Sequence, residues 1–458
     1  MESAIDDPPA ELRPTWRESE RFVPRAFVRP VLRFMELEAA SGVVMLVAAI
    51  AALVWANTPW HAAYEQFWST PVALEIGKLV DLSDMTLHGW VNDGAMALFF
   101  LLAGLEIKRQ LLRGELRDRR AAALPALAAL GGMIVPALIY AAINHGHPGS
   151  KGWGIPVATD IAFAVGVVTL AGRRVPVGAK IFLLTLAVVD DVGGIVVIAI
   201  FYATNVKLAW LGVAAVTIAV TVLLRRNDVR SLVPYIVLGT VCWLSFHQAG
   251  VEAAIVGVIF GLLTPIVPFH DPASFGPTAR TLVDRIDRSF ADGVLDDDER
   301  DDDEIAFEDL ARLASETASP LERIEGRLAL WVSLLIVPLF AFANAGVRIE
   351  TDAFDGRIAL GVALGLVLGK TIGVFAFSFA AVKLGVGRLP SGTTWRHTFG
   401  LAVTAGIGFT VALFVATISF TDEARLSSAK IGVLGASVVA GVLGLLLLRA
   451  TPPASTAP

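Results

Sequence analysis

Apolar residues in this chain of 458 fall into runs of ~17–25, separated by shorter polar stretches. At ~1.5 Å rise per residue, a helical run of that length covers the ~30 Å hydrocarbon core of a bilayer. Twelve such runs are present, at roughly 38–57, 90–107, 121–144, 155–172, 179–203, 208–224, 232–247, 250–267, 327–347, 358–384, 398–419 and 429–449. Composition agrees: 55% of residues are hydrophobic and only 17% charged, against ~25% charged in an ordinary soluble domain. The pattern predicts an all-α polytopic membrane protein of about twelve transmembrane helices and excludes a large soluble helical core.

The loops orient the chain. Lys and Arg number 22 in the even-parity segments, leaving out the long 268–326 loop, and 7 in the odd-parity loops. Basic loops stay cytoplasmic, so both termini are expected there, with "KRQLLRGELRDRR" (108–120) the clearest marker. The expected organisation is a cytoplasmic segment 1–37, spans one to eight over 38–267, a cytoplasmic insert 268–326, spans nine to twelve over 327–449 and a tail 450–458. Much of the acid behind the net charge of −6 lies in the insert, as "DDDERDDDE" (296–304). The insert also holds an amphipathic stretch (Leu282, Val283, Ile286, Phe290). It reads as a solvated, partly disordered linker or as a regulatory, cation-concentrating loop. Its acids lack the alternating spacing and central Gly of a calcium loop. The single Cys242 excludes an internal disulfide and a cysteine-only metal site. No secretory signal peptide is visible; the first ~35 residues are polar, with Arg about every four positions. Nothing in the sequence calls for a cofactor or a nucleic-acid partner.

Three short matches recur in order along the chain. "LGGMI" (130–134) resembles "LGKTI" (368–372), "DIAFAVG" (160–166) resembles "GIGFTVA" (406–412), and "VVDDV" (188–192) resembles "VVAGV" (438–442), at offsets of 238, 246 and 250. Span three runs outward where span ten runs inward, so the three-helix unit is duplicated in inverted orientation. That is a transporter signature.

Four ionisable residues lie deep in these units: Asp160, Asp190, Asp191 and Lys370. One charged Asp at mid-membrane costs ~2.5–3.5 kcal/mol on insertion scales, and "LAVVDDVGGIVV" (186–197) holds two in succession. On a regular helix they point ~100° apart, so both can look into one water-filled cavity but hardly into one dry pocket. They titrate as a coupled pair, and carboxylate oxygens suit a small hard cation. One pair holds protons or a cation, poorly both together, which is the competition an exchanger requires. Lys370 sits about twelve residues into span ten, too deep for its stem to snorkel. It reads as a counter-charge, and that needs an acid in the core. "PVATDIAFAVG" and "TAGIGFTVALF" suit either interrupted helices or close helix packing. In the first case Asp160 neutralises positive helix ends and Lys370 negative ones. Asp93, near the outer end of span two, and Glu106, near its inner end, read as interfacial acids satisfied by water. Glu106 also reads as a cytoplasmic mouth drawing cations in.

These residues resemble a known family. "NDGAMALFFLLAGLEIKR", "GGMIVPALIY", "GIPVATDIAFAVGV", "RVPVGAKIFLLTLAVVDDVGGIVVIAIFY", "VPLFAFANAGV", "GLVLGKTIGVFAF" and "LPSGTTWRHTFGLAVTAGIGFTVALFVA" are similar to segments of the NhaA-type sodium/proton antiporters of bacteria. The likeness runs from about 34 to 449, apart from 268–320. It implies a multi-pass protein of the cell membrane in which spans four and eleven are broken and cross, an architecture for which inverted repeats in this family are a known example. It implies electrogenic, pH-regulated exchange of protons for Na⁺ or Li⁺, driven by the proton-motive force. Asp191 would be the main cation ligand and proton carrier and Asp190 its partner, ion-paired with Lys370 in one state. Thr159 and Asp160 would line the crossing. Glu106, Glu252 and Glu322 would serve cytoplasmic entry and the pH response, with Asp93 the outer-side acid. The loop 58–88 would form a hairpin that makes a homodimer. This chain departs from the pattern at Glu252, Arg323 and Gly326, where relatives carry His, and in the acidic insert 291–304. An intramembrane aspartyl protease is excluded, since its acids sit on two separate helices with a Gly-x-Gly-Asp setting. A K⁺/H⁺ exchanger or a Na⁺-coupled organic-solute carrier is the alternative.

Overall fold

The computed structural model describes residues 40–452 other than 77–79, 84, 204–205, 230, 292–296 and 349–353. The expected N-terminal segment 1–37 and most of the tail lie outside the described residues. Among the described residues, eight helices are long and apolar enough to cross a membrane, and up to eleven spans result if each of three bent pairs counts as one. In chain order, α1 (Ala40–Ala56) folds back through 118° into the short α2 (His61–Trp68). The strands β1 (Leu74–Ile76) and β2 (Val80–Leu82) pair antiparallel, Leu74 opposite Leu82 and Ile76 opposite Val80. This two-stranded hairpin falls in the 58–88 loop; the described residues are otherwise built from helices. Then come α3 (Leu87–Leu112), α4 (Arg119–Ile143), a 3₁₀ segment (Pro148–Val157), α5 (Ile161–Ala171), α6 (Val177–Phe201), α7 (Leu208–Arg226), α8 (Leu232–Ala249) and α9 (Ile255–Leu263).

The run at 250–267 departs from expectation. Its helix α9 has nine residues, ~14 Å of rise, too short to span the bilayer alone. The reason is local. Gly250 takes the left-handed conformation (φ 74°) that ends α8, and the helix stops before Thr264, which leads into Pro265. Within the insert, α10 (Pro272–Ala291) and α11 (Asp297–Thr317) form a helical hairpin, tied back by His270 to Glu316 at 3.2 Å. Ile286 of the first arm and Ala306 and Leu313 of the second are buried. The chain re-enters the bundle as α12 (Pro320–Asn344), started by a Ser319 cap and Pro320 at the first helical position. It ends with α13 (Gly356–Lys383), α14 (Trp395–Thr404), α15 (Phe409–Ser419) and α16 (Glu423–Ala450).

Without a hydrophobic force between helices in lipid, small residues set the closest approaches. Gly131 of α4 faces Gly373 of α13 backbone to backbone, and Gly104 of α3 meets Val258 and Gly261 of α9. A Cβ on Gly104 would lie 2.7 Å from the Val258 carbonyl oxygen, so nothing larger fits. The bundle core centres on α15, whose buried Phe414 packs edge-on against Phe100 of α3 and near Phe340 of α12. Ile200, Val216, Ile236 and Leu446 stay exposed on outward faces, the apolar surface of a lipid-facing bundle.

Candidate functional site

Two helices break, and the breaks meet. The 3₁₀ segment Pro148–Val157 gives way to extended backbone at Ala158, and α5 starts 47° off its line. On the other side α14 ends at Thr404 and α15 resumes at Phe409, bent by 42°. Breaking a helix frees backbone groups that must find partners in a bilayer. Here each break supplies the other. The Asp160 N–H donates to the Ile407 carbonyl at 2.7 Å, and the Thr159 hydroxyl donates to the Ala405 carbonyl at 2.9 Å.

Asp160 is buried and serves two helix starts at once. Its Oδ1 accepts from the Phe163 N–H of α5 at 3.1 Å. Its Oδ2 accepts from the Thr410 N–H of α15 at 3.0 Å and from the Thr410 hydroxyl at 2.6 Å. Both N-termini present unsatisfied N–H groups and partial positive charge, so one carboxylate compensates two helix ends. Thr410 was not singled out by sequence reasoning. The available signal was a hydroxyl in the first turn after a Gly-rich break.

Beside this junction α6 presents Asp190 and Asp191. Lys370 of α13 donates to Asp190 Oδ2, and both side chains are fully buried. Gly132 of α4 lies beside the lysine, and a Cβ there would stand 2.8 Å from Val374 Cγ2 one turn beyond it. The second oxygen of Asp190 is buried beside the N–H and hydroxyl of Thr159 without a well-formed hydrogen bond, and Oδ1 of Asp191 is buried with no hydrogen-bond partner. Asp191 lies in the electrostatic field of Asp190, Asp160 and Lys370. A buried carboxylate oxygen without a donor is costly and remains open to a proton or a cation.

The remaining acids divide between the two ends of α3. At one end Glu106 accepts from Arg109 and from Gln110 (2.8 Å), Arg109 also reaches Glu325 at 3.2 Å, and Arg113 reaches Glu322 at 2.7 Å. At the other end Asp93 faces His247 at 3.4 Å, and its carbonyl accepts from the Trp243 indole at 3.0 Å. Glu252 belongs with Asp93, not with Glu106 and Glu322 at a shared entry: α9 runs parallel to α3, Gly257 against Ala97 and Gly261 against Leu101 and Leu105. The grouping of Glu252 with Glu106 and Glu322 is therefore corrected. A second polar cluster, also missed, joins Asn92, Asn344 and His88, with Asn344 donating to Asn92 at 2.8 Å.

Residues 32–448 match the family model described as Na+/H+ antiporter 1. The chain belongs to that family. It is 42% identical over 441 residues to the Na(+)/H(+) antiporter NhaA 2 of Sorangium cellulosum, covering 95% of this chain and 92% of the relative. It is 44% identical over 424 residues to NhaA 2 of Myxococcus xanthus, covering 92% and 89%, and 41% identical over 430 residues to NhaA of Rhodopirellula baltica, covering 94% and 96%. Matches this long cover both breaks and the charged residues Asp190, Asp191 and Lys370.

Proposed function

We propose that this protein is a secondary transporter of the bacterial plasma membrane that exchanges Na⁺ for protons. The observation that carries the reading is the unpartnered oxygen of Asp191 beside a fully buried Asp190–Lys370 pair, where two broken helices meet. Asp191 is the cation and proton site. Na⁺ takes carboxylate oxygen as a ligand and cannot share it with a proton, so loading one expels the other. Asp190 is the second carboxylate, held by Lys370 when the cation is absent and free to contribute when Lys370 releases it. Asp160 and Thr159 hold the two breaks together and assist the site without supplying its main ligand. Two protons per cation make the exchange electrogenic and let the proton-motive force drive it, with Li⁺ handled like Na⁺. The family and its named relatives favour this over a K⁺/H⁺ exchanger or a solute carrier, and they point to transport rather than catalysis.

The architecture behind this reading is twelve crossings, the eighth made by α9 together with its flanking non-helical residues, with both termini and the 268–326 insert cytoplasmic, spans four and eleven crossing, and two inverted units. The contacts support the inversion. Positions matched at offset 246 touch each other, Thr159 with Ala405 by a hydrogen bond and Phe163 with Phe409 ring to ring at 5.1 Å. At offset 238, Gly132 lies against Lys370. Equivalent positions meet in this way near a two-fold axis. The β1–β2 hairpin is the element we assign to a homodimer contact.

Proton/cation exchange in proteoliposomes, scanned with Na⁺, Li⁺ and K⁺ against pH, tests the reading. Asp191→Asn is expected to abolish exchange while the protein still inserts and elutes as a folded species. Near-normal exchange by that variant would overturn the mechanism.

A further inference from the structure

The helix that carries Lys370 is not uniform. Gly365–Gly369 forms a π turn inside α13, with the Lys370 N–H donating to the Gly365 carbonyl five residues back. A π turn holds one residue more than the α turn it replaces, so it shifts the register of everything beyond it by about 100°. This one ends at the residue before Lys370.

α4 runs along both halves of α13, a Cβ on Gly361 lying 3.0 Å from its Tyr140, and α16 adds a second hold before the turn. Before the turn, Ala359 and Val362 pack on Gly432 of α16. After it, Gly373 lies on Gly131 and Val374 on Gly132, both in α4. The glycines at either end of the turn meet proline. A Cβ on Gly365 would lie 2.7 Å from Pro156, and one on Gly369 would lie 2.6 Å from Pro136. The Leu366 carbonyl within the turn faces Gly406 in the break between α14 and α15. The Thr371 hydroxyl donates back into the turn, to the Val367 carbonyl at 2.6 Å. The turn thus touches the break on one side and ends at Lys370 on the other.

We propose that the Gly365–Gly369 π turn is a register device for Lys370. As a π turn it aims the lysine at Asp190; refolded as an α turn it turns the lysine away, and this interconversion makes and breaks the pair in each exchange cycle. The inference rests on the exchange reading above. A side-chain tip ~5–6 Å from the helix axis swings by ~8 Å in a 100° rotation, well beyond the ~4 Å reach of an ion pair. Movement at the break is transmitted to the turn through Leu366, so the cation site and the lysine change together.

Deletion of Leu368 tests this. Leu368 is half exposed on the outward face, and removing it takes out the extra residue. The helix closes as a regular α-helix while both halves keep their neighbours and Lys370 keeps Asp190. The second register is lost. Turnover in proteoliposomes is expected to fall by about tenfold or more with the half-saturating Na⁺ concentration changed less than about twofold. Lys370→Ala is expected to destabilise the deletion variant as much as the parent. Parental turnover would overturn the proposal, and so would a joint loss of Na⁺ affinity and of the pair, which marks a purely structural turn. Should the deletion variant not fold, hydrogen exchange in the unaltered full-length protein decides. Amides of 366–370 are expected to exchange differently in Na⁺-saturated and Na⁺-free protein at one pH, with those of 356–362 unchanged; identical exchange at 366–370 overturns it. Exchange surviving Asp191→Asn defeats the transport reading, whereas exchange surviving the Leu368 deletion defeats only this one.

Discussion

Lys370→Met removes the cation of a buried pair while keeping most of its volume, so the loss measured is that of the charge. Lys370 and Asp190 are both at 0% exposure. Removing one member of such a pair costs ~3–5 kcal/mol, against ~0–1 kcal/mol for a solvated pair. Asp190→Asn strands the lysine and falls in the same range. The double variant Asp190→Asn/Lys370→Met leaves no unpaired charge, so it recovers most of one loss. The cycle should show a coupling of ~3 kcal/mol, at the upper end for contacting residues. Denaturant titration in mixed micelles, followed by tryptophan emission, supplies the four free energies. Single losses below ~1 kcal/mol, or strict additivity, would refute the argument that the pair is dry and structural as well as functional.

Three further outcomes follow from the geometry. Thr410→Ala removes a hydroxyl bonded to a buried carboxylate and should cost ~1.5–3 kcal/mol, with Thr410→Ser restoring most of it in the same titration. In a Cys242→Ser background, Glu252→Cys should react with a membrane-impermeant maleimide from the outer side and Glu106→Cys only from the inner side; labelling of both from one side would refute the placement of Glu252 beside Asp93. Deletion of 291–304 removes the link between α10 and α11 together with the first eight residues of α11; it should leave exchange and its pH profile intact, and a large shift of that profile would assign the insert a regulatory part.

What sequence disclosed was what lipid enforces on each residue separately. Residues Val177–Phe201 had to be apolar and helical to cross the bilayer, and the same rule made Asp190, Asp191 and Lys370 conspicuous. What depends on two elements meeting was not legible. Thr410 matters because α15 starts where Asp160 can reach it. Glu252 is the contrary case: loop parity alone puts residue 252 at the outer end of span eight, and the packing of α9 along α3 sets it beside Asp93. The π turn has no signature either: "GLVLG" suits an α-helix equally well, and only Pro156 and Pro136 pressing on its two end glycines distinguish this one.

The duplication sharpens which charges belong to function. At the α16 positions matching Asp190 and Asp191 stand Ala440, fully buried, and Gly441, whose Cβ direction points to Ile407 and Val167. Those positions therefore serve packing in one copy, and the fold requires no acid there. The match to Lys370 is Gly132, which lets α4 approach Val374 beside the lysine. Acids thus sit only on the first unit and the lysine only on the second. A stabilising role alone would be met by small residues on both sides, as at Gly131 and Gly373. In the exchanger proposed above, a charge pair strung between the two units instead ties their relative position to whether Asp190 is held by Lys370 or released to a cation, which is the coupling that alternating exchange requires.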